Sequence, residues 1–240
     1  MNDSHKPTET DAVVQRYARR AAAAGGAGLY SPLRPEVWQG LQERQRAMLR
    51  GFAARGCTDL AALHIAEVGC GSGGNLLELL RLGADPARLT GLELLPERHA
   101  AACRALPAAT AAWLGDALQA PATLLPPASQ DVVLQSTVFS SLLDDAFQQR
   151  LADAMWGWLK PGGAVLWYDF TVNNPRNPDV RGVPLRRVRQ LFPQGQVTAH
   201  RVTLAPPLAR VVCHWHPAFY PLFNSLPLLR THVLAWVHKP

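Results

Sequence analysis

The sequence predicts a protein of the α/β class, in which helices cover both faces of a doubly wound, mostly parallel sheet. Short apolar runs typical of buried strands alternate with helical segments between residues 63 and 169, and this order builds a parallel sheet. A glycine-rich turn, Gly69–Gly74, lies between the first such strand and the helix that follows it. Two more strand-like runs end the chain, so the prediction is a seven-stranded sheet.

Two helices are predicted before the first strand. Asp11 is the expected N-cap of a helix over 11–24, and Pro35 lies in the first turn of a helix over 35–54. Residues 1–10 are polar and are predicted to be disordered. In the core, strands are predicted over 63–68, 89–93, 111–115, 131–136 and 163–169, and helices over 73–82, 96–105 and 145–159.

The pattern changes after residue 170, where a loop rich in Asn and Pro interrupts the alternation. If Cys213–His216 is extended, His214 and His216 lie on one face. They could then form a metal pair, but no third ligand is evident, and a role as a base or plain surface placement is favoured. The remaining elements are a helix over 183–192, a strand over 196–204, a partly helical insertion over 205–211, a short helix over 217–226 and a final strand over 231–238.

Composition limits the class of protein. The chain has 240 residues, 48% of them hydrophobic, as expected for one packed domain with additions. Its four cysteines are scattered without a C-x-x-C pair, which favours reduced thiols in the cytoplasm. The N-terminus lacks the apolar segment of a signal peptide, and no run of 18 apolar residues occurs, so no membrane partner is expected.

The charge is +6 with a sequence pI of about 9.5, which suits a nucleic acid or an anionic substrate. Most of the positive charge comes from Arg, and only three lysines occur. A nucleic-acid footprint needs clustered basic residues. Since the arginines are scattered along the chain, a nucleic-acid partner is not the favoured reading.

The glycine-rich turn indicates a nucleotide-cofactor site, because glycine lets a backbone approach its ligand and a helix N-terminus offers free N–H groups. Gly69, Gly71 and Gly74 satisfy the dinucleotide pattern G-x-G-x-x-G. Glu67, Gly69, Gly71 and Gly73 also satisfy E-x-G-x-G-x-G. The acidic residue two positions before the first glycine favours the second pattern.

Three later segments agree with the second pattern. The strand Leu89–Glu93 ends in an acid about 20 residues on, as recognition of a ribose requires. Gly115-Asp116-Ala117 ends the next strand. Through these motifs, with Asp131–Ser136 and Leu159–Gly163, the chain resembles the class I methyltransferases that use S-adenosylmethionine (SAM), from about residue 60 to about residue 170.

The resemblance implies a Rossmann-like fold with an antiparallel final strand, and N-terminal helices that act as a lid. It divides the chain into a helical extension, 1–56, and a methyltransferase domain, 57–240, with a substrate-side insertion at about 171–226. SAM is then the cofactor and S-adenosylhomocysteine the product, and no metal is expected. The cofactor residues implied at matching positions are Glu67, Gly69, Gly71, Gly73, Glu93, Asp116, Ala117, Gln135 and Ser136.

Catalytic residues are harder to predict, since methyl transfer mainly requires alignment. Tyr168 and Asp169, at the end of the fifth strand, and His214 are candidates to orient or deprotonate a hydroxyl. Packing, capping and surface placement are the alternatives for them. Candidates for binding the acceptor are Tyr17, Tyr30, Phe139, Ser140, Asn174, Arg176 and Arg210.

The favoured function is methylation of a small molecule, natural product or glycan, on oxygen or nitrogen. Segments near residues 139–141, 167–170, 174–178 and 204–210 resemble a bacterial subgroup associated with such acceptors. Three alternatives remain open: an RNA or protein methyltransferase, an NAD-dependent oxidoreductase, and a SAM-binding module without activity. Neither the oligomeric state nor the acceptor atom can be read from the sequence.

Overall fold

The computed structural model describes residues 8–22, 28, 31–175 and 177–240. Before the sheet come α1 (Glu9–Ala22) and α2 (Pro35–Ala54). The strands are β1 (Ile65–Val68), β2 (Leu89–Glu93), β3 (Ala111–Leu114), β4 (Gln130–Ser136), β5 (Leu159–Phe170), β6 (Gln196–Leu204) and β7 (Arg230–His238). The later helices are α3 (Gly74–Arg81), α4 (Pro96–Ala105), α5 (Asp145–Trp158), α6 (Leu185–Leu191), α7 (Pro206–Trp215) and α8 (Phe219–Asn224).

The seven strands form one sheet in the order β3-β2-β1-β4-β5-β7-β6. Strands β1 to β5 are parallel, and β7 runs antiparallel to both β5 and β6. The Rossmann-like fold predicted from the sequence is therefore confirmed. The strand order reverses direction between β1 and β4, and ligands of such sheets bind beside that point, at the carboxyl ends of the strands.

Two apolar layers hold helices against the sheet. On one face, Ala66, Val133 and Trp167 pack with α5 and α6. On the other, Ile65, Leu134 and the buried side of α2, α3 and α4 form the second layer. Alternation along each strand therefore fixes which side chains of β1, β4 and β5 turn towards α2.

The predicted elements agree with the structure closely, with two corrections. Glu9 and Thr10, in the segment 1–10 predicted to be disordered, belong to α1, and residues 1–7 lie outside the described residues.

The other correction is near the C-terminus. Cys213–His216 does not form a strand: α7 extends through Trp215, and its buried side consists of Ala209, Val212 and Cys213. Histidines two residues apart lie on the same face only in a strand, where side chains alternate with a period of two. The apolar residues of this segment recur with the period of a helix. His214 and His216 consequently do not share a strand face.

Candidate active site at the carboxyl ends of the parallel strands

The larger of two clefts lies at the carboxyl ends of β1, β2, β3 and β4, beside the point where the strand order reverses. It encloses about 790 Å³ of space, including the part open to solvent. Helix α1 and the first turn of α4 form its outer walls. From the predicted cofactor set, the cleft is lined by Gly69, Glu93, Asp116, Ala117 and Ser136.

The glycine turn is shaped by close packing. Gly69 has φ +65°, and a Cβ atom there would lie 2.6 Å from Cγ2 of Val138, so a larger residue does not fit. The Gly71 amide donates to Oε2 of Glu93 at 2.7 Å. Gly73, also predicted to bind the cofactor, caps α3 and faces Leu106 rather than the cleft.

Two acids mark the ends of β2 and β3. Glu93 accepts hydrogen bonds from the amides of Gly71 and Leu95, one on each oxygen, which fixes its carboxylate at the cleft wall. Asp116 accepts from the Leu118 amide on Oδ1 and from the Thr10 hydroxyl on Oδ2, at 2.9 and 2.7 Å. Helix α1 therefore already touches the acid for which the resemblance implies a bond to adenine.

Glu67 is completely buried in β1. Its Oε1 accepts from the Asn75 side chain at 2.5 Å, while Oε2 is buried without a hydrogen-bond partner. Burial raises the pKa of Glu67 to about 7, although Asn75 and the charge of Arg44 both lower it. Such an orphaned acceptor is costly unless a ligand supplies its donor.

Arg44, from α2, joins this carboxyl to the end of β4. Its guanidinium donates to Oδ1 of Asn75 at 2.7 Å and to Oγ of Ser136 at 3.2 Å, and it lies over the Tyr168 ring, 5.1 Å from the centroid. These residues, with Glu78 and Met48, line a second, smaller cleft. Ser136 lines both clefts, so the two meet at the carboxyl end of β4.

The loop after β4 is held in one conformation. Thr137 has φ +58°, a strained value for a β-branched residue, and lines the larger cleft. Gln135 is buried and supports this loop, since its side chain accepts from the Val138 amide and donates to the Tyr168 carbonyl. Gln135, predicted to line the cofactor, therefore does not line either cleft.

Phe139 and Ser140, two predicted acceptor contacts, are also buried away from both clefts. Phe139 packs on Trp167 with ring centroids 4.5 Å apart, and Ser140 donates its hydroxyl to the Thr137 carbonyl. The neighbouring Ser141 and Leu142 line the larger cleft instead. A 3-10 turn over Phe139–Ser141 rotates the loop, which is a tertiary effect that the sequence does not reveal.

The three catalytic candidates lie in three different environments. Tyr168 lines the smaller cleft and forms a hydrogen bond with the Thr203 hydroxyl at 2.9 Å, and burial raises its pKa. Asp169 is fully buried, and its two oxygens accept from the amides of Ser140 and Phe170. Burial raises the pKa of Asp169 to about 7. His214 is exposed on α7 and lines neither cleft.

Tyr17, a predicted acceptor contact, lines the larger cleft from α1. The guanidinium groups of Arg98 and Arg20 lie 4.5 and 4.8 Å from its ring centroid. Its hydroxyl is 3.4 Å from that of Ser141. Helix α1 is thus packed against the cleft by an aromatic ring between two cations, an arrangement that stabilises contacts at partly exposed sites.

Other predicted acceptor contacts lie outside both clefts or outside the described residues. Tyr30 and Arg176 belong to the second group. Asn174 lies in a turn, where its carbonyl accepts from the Asn177 amide. Arg210 is partly exposed on α7. In the same loop Asn173 accepts from the Gly182 amide, so its polar groups stabilise the loop itself.

The described residues contain no group of three or more His, Cys, Asp or Glu side chains that could hold a metal ion. The groups that remain for a ligand are charged and polar and differ along the two clefts. One end is lined by Arg44 and Asn75, and behind Asn75 lies the unpartnered oxygen of Glu67, which is completely buried and lines neither cleft. The other offers Glu93 and Asp116 beside an apolar wall.

Comparison with known families decides between the cofactor patterns. Residues 65–163 match the family model described as "Methyltransferase domain". This match supports the resemblance of the chain to the class I SAM-dependent methyltransferases. The matched segment contains β1 to the start of β5, with the glycine turn and both cleft-lining acids. SAM is its cofactor, and the orphaned oxygen of Glu67 beside Arg44 suits the amino-acid part of SAM in charge.

Solved methyltransferase structures share the fold of this chain at low sequence identity. The 1,6-didemethyltoxoflavin-N1-methyltransferase of Burkholderia thailandensis, solved with its substrate and S-adenosylhomocysteine, has a TM-score of 0.62 at 16% identity, and the match covers 99% of this chain and 93% of that one. The N-methyltransferase NodS of Bradyrhizobium japonicum has a TM-score of 0.61 at 17% identity, covering 84% and 97%. A SAM-dependent methyltransferase of Mesorhizobium loti has 0.58 at 16%, covering 82% and 96%. No curated protein sequence matches the chain.

Sequence reasoning missed several residues of the two clefts. Arg44 and Asn75 stand out only once α2 and α3 are packed together, although Asn75 directly follows the glycine turn. Thr10 is separated from Asp116 by 106 positions. Arg98 follows the Leu-Pro start of α4 and could have been noted, because the first turn after β2 borders the predicted ribose acid.

Proposed function

We propose that this methyltransferase transfers the methyl group of SAM to a small-molecule acceptor by in-line displacement. The polar cluster at the ends of β1 and β4 is the observation that supports this most. It places a buried carboxyl with an unused oxygen, Glu67, close to the guanidinium of Arg44. The methionine part of SAM carries an ammonium group and a carboxylate, so each ligand charge has a protein charge of opposite sign.

The remaining assignments follow the order of groups along the clefts. Glu67 would accept from the ammonium group, and Arg44 with Asn75 would bind the carboxylate, a pairing that suits the planar donors of arginine. Glu93 would accept from the ribose hydroxyls. Each of its oxygens accepts one amide hydrogen bond and keeps one lone pair free for a hydroxyl. Asp116 and Ala117 would contact the adenine.

SAM supplies an electrophilic methyl group on a sulfonium centre, which needs no further activation by the protein. The protein's contribution is then alignment and exclusion of water. Ser136 and Thr137, where the clefts meet, would border the transfer path, and Tyr168 would form one wall. Asp169 has both oxygens engaged, and His214 reaches neither cleft. We therefore favour a neutral amine as the acceptor, because a hydroxyl would call for a general base.

Binding tests the cofactor assignments first. Thermal unfolding is followed with SAM, S-adenosylhomocysteine and NAD(H), for the native protein and for Glu93→Ala. A ligand at 100 times its Kd stabilises the folded state by about 2.7 kcal/mol. Stabilisation by SAM or its product, lost in Glu93→Ala, supports the proposal. Stabilisation by NAD(H) alone would contradict the proposal and would indicate that the glycine turn binds a dinucleotide.

Methyl transfer from labelled SAM is then measured with matched pairs of acceptors that differ only in an amine or a hydroxyl. Preference for the amine member supports the acceptor class. An RNA methyltransferase is the second candidate, which the basic charge favours; transfer to tRNA with binding that falls steeply as salt rises would support it. SAM binding without transfer to any acceptor, from a bacterial extract included, would indicate a binding module.

A further inference from the structure

A second surface, whose residues line neither cleft, carries exposed apolar side chains on α7, α8 and the turn before β7. Trp215 is 76% exposed and Leu228 is 89% exposed. Six of the twelve large apolar side chains that are exposed in the described residues lie within the 18 positions from 211 to 228. We call this set the 211–228 surface; its members are Val211, Trp215, Phe219, Leu222, Leu226 and Leu228.

This surface is the outer side of a packed layer. Beneath it, Ala209, Val212, Cys213 and Tyr220 form a small core with Leu204 of β6. The inner residues are thus already satisfied, so the outer ones are not needed to complete the fold. A cluster of exposed apolar side chains within 18 residues, outside an already packed core, is typical of an interaction site. Helix α7 accordingly has one buried apolar side and a second apolar strip that faces solvent.

Charge identifies the kind of partner. After Asp179 the chain contains seven Arg and one Lys and no Asp or Glu. All 18 acidic residues, with Asp179 as the last of them, and the other 16 basic residues lie in residues 1–179. The whole positive excess therefore lies in the last 61 residues. Such asymmetry between parts of a chain indicates interaction with an anionic polymer or surface.

Three of these arginines, Arg201, Arg210 and Arg230, belong to the elements that carry or flank the 211–228 surface. Arg210 lies on α7, Arg230 follows the last turn, and Arg230 donates to the Arg201 carbonyl at 2.9 Å. The acids nearest to this side come from α2. Glu36 is paired with Arg34 at 3.3 Å, and Glu43 is buried and accepts from the Thr203 amide and the Tyr220 hydroxyl. Neither offers an unpaired negative charge to the surface.

We propose that the 211–228 surface docks the protein on an anionic lipid bilayer, lying in the interface and not crossing it. Trp and Phe beside Leu and Arg are the side chains that occupy the boundary between head groups and acyl chains. Anionic lipids attract each nearby arginine. In the described residues no helix has the length and apolar character to cross a membrane, and a surface-lying mode requires none.

Charge and polarity disfavour two other partners. A second copy of this chain would place its own Arg201, Arg210 and Arg230 against the same set, because a two-fold contact pairs a surface with itself. RNA would satisfy the arginines and leave Leu222 and Leu228 against phosphates and sugars. In a bilayer the anionic head groups lie directly above the apolar acyl chains. The arginines and the apolar side chains can therefore both find a suitable environment there.

The test is co-sedimentation of the full chain with vesicles of phosphatidylcholine alone or with 30% phosphatidylglycerol. We expect binding to the anionic vesicles only, reduced by 0.5 M NaCl. The double variant Leu222→Ser/Leu228→Ser and the variant Arg201→Glu should each lower the partition coefficient on the order of tenfold. Leu49→Ser on α2 and Arg186→Glu on α6, both exposed, are the matched controls and should bind as the native protein does.

A second measurement locates the contact. Bromine-labelled acyl chains quench tryptophan at the membrane boundary, and quenching should be lost in Trp215→Phe. No binding to anionic vesicles would overturn the proposal. A dimer in light scattering that the leucine variant dissociates would replace the bilayer with a second copy. Binding displaced by tRNA, with the leucine variant unaffected, would replace it with nucleic acid. SAM binding should be unchanged in every variant. Failure of the docking proposal can therefore be distinguished from failure of the proposed function.

Discussion

The Thr10 hydroxyl donates a hydrogen bond of 2.7 Å to Oδ2 of Asp116. This bond joins α1 to the acid proposed to meet the adenine, so a ligand that uses Oδ2 must share or displace it. Thr10→Val keeps the side-chain shape and removes the donor. We expect the Kd for S-adenosylhomocysteine to fall by roughly threefold to tenfold, which corresponds to the net contribution of one typical hydrogen bond.

Titration calorimetry measures this change, with Asp116→Asn as the opposite case, which should weaken binding. If Thr10→Val weakens binding instead, the contact belongs to the bound form, and α1 closes over the ligand through Thr10. Either sign is informative because the two variants alter the two ends of one hydrogen bond.

Glu67 provides a prediction on pH. Its pKa is raised by burial to about 7 in the unliganded protein. Since only the ionised carboxylate pairs with an ammonium group, the affinity for SAM should fall about tenfold per pH unit below 7. Calorimetry between pH 5.5 and 8.5 checks this, and Glu67→Gln should bind weakly with no such slope. A slope that persists in the variant would assign the titration to another group.

The same group affects stability in the opposite sense. Its pKa is higher in the folded than in the unfolded protein, so the folded state binds the proton more tightly between pH 4.5 and 7. The free energy of unfolding therefore falls as pH rises through that range. Glu67→Gln should stabilise the unliganded protein at pH 8 and not at pH 4, as measured by urea unfolding. Asp169 makes a similar contribution in both proteins, so it cancels in the comparison.

Arg44 is predicted to recognise the amino-acid part of the cofactor. Arg44→Gln should weaken binding of S-adenosylhomocysteine by roughly tenfold or more, since it removes a charge-assisted pair. Binding of 5′-methylthioadenosine, which lacks that part, should not change. Glu93→Ala should weaken both ligands, and Arg50→Gln, an exposed position on the same helix, should weaken neither. Equal losses for both ligands in Arg44→Gln would show a general loss of the site.

Helix α1 is fastened to the domain by a buried arginine. Arg16 bonds to Glu9 and to the Ser141 carbonyl, and Glu9 accepts from the Leu143 amide at 2.7 Å. Arg16→Leu leaves the carboxylate of Glu9 buried without its cationic partner, which lowers the free energy of unfolding. We expect α1 to lose protection from hydrogen exchange. Arg19→Ala should have little effect, because its pair with Asp179 is solvent-exposed. Equal protection in both variants would place the main contact of α1 elsewhere.

The sequence by itself determined the succession of strands and helices through β5, the glycine turn and the two acids at the cleft, Glu93 and Asp116. These features depend on neighbours a few residues away: apolar periodicity defines strands and helices, and a tight turn needs glycine. In a parallel sheet the ends of consecutive strands meet at one edge, so local motifs are sufficient to predict a common site.

Only the tertiary structure decided which side chains face that site. Arg44 meets Ser136 across 92 positions and Thr10 meets Asp116 across 106. Conversely, Asp169 and Gln135 have suitable chemistry at suitable strand ends, yet both turn inward and bind backbone groups. A polar side chain buried near a loop must satisfy its hydrogen bonds there. Which groups do so depends on contacts between elements distant in the chain, and a local pattern carries no information about them.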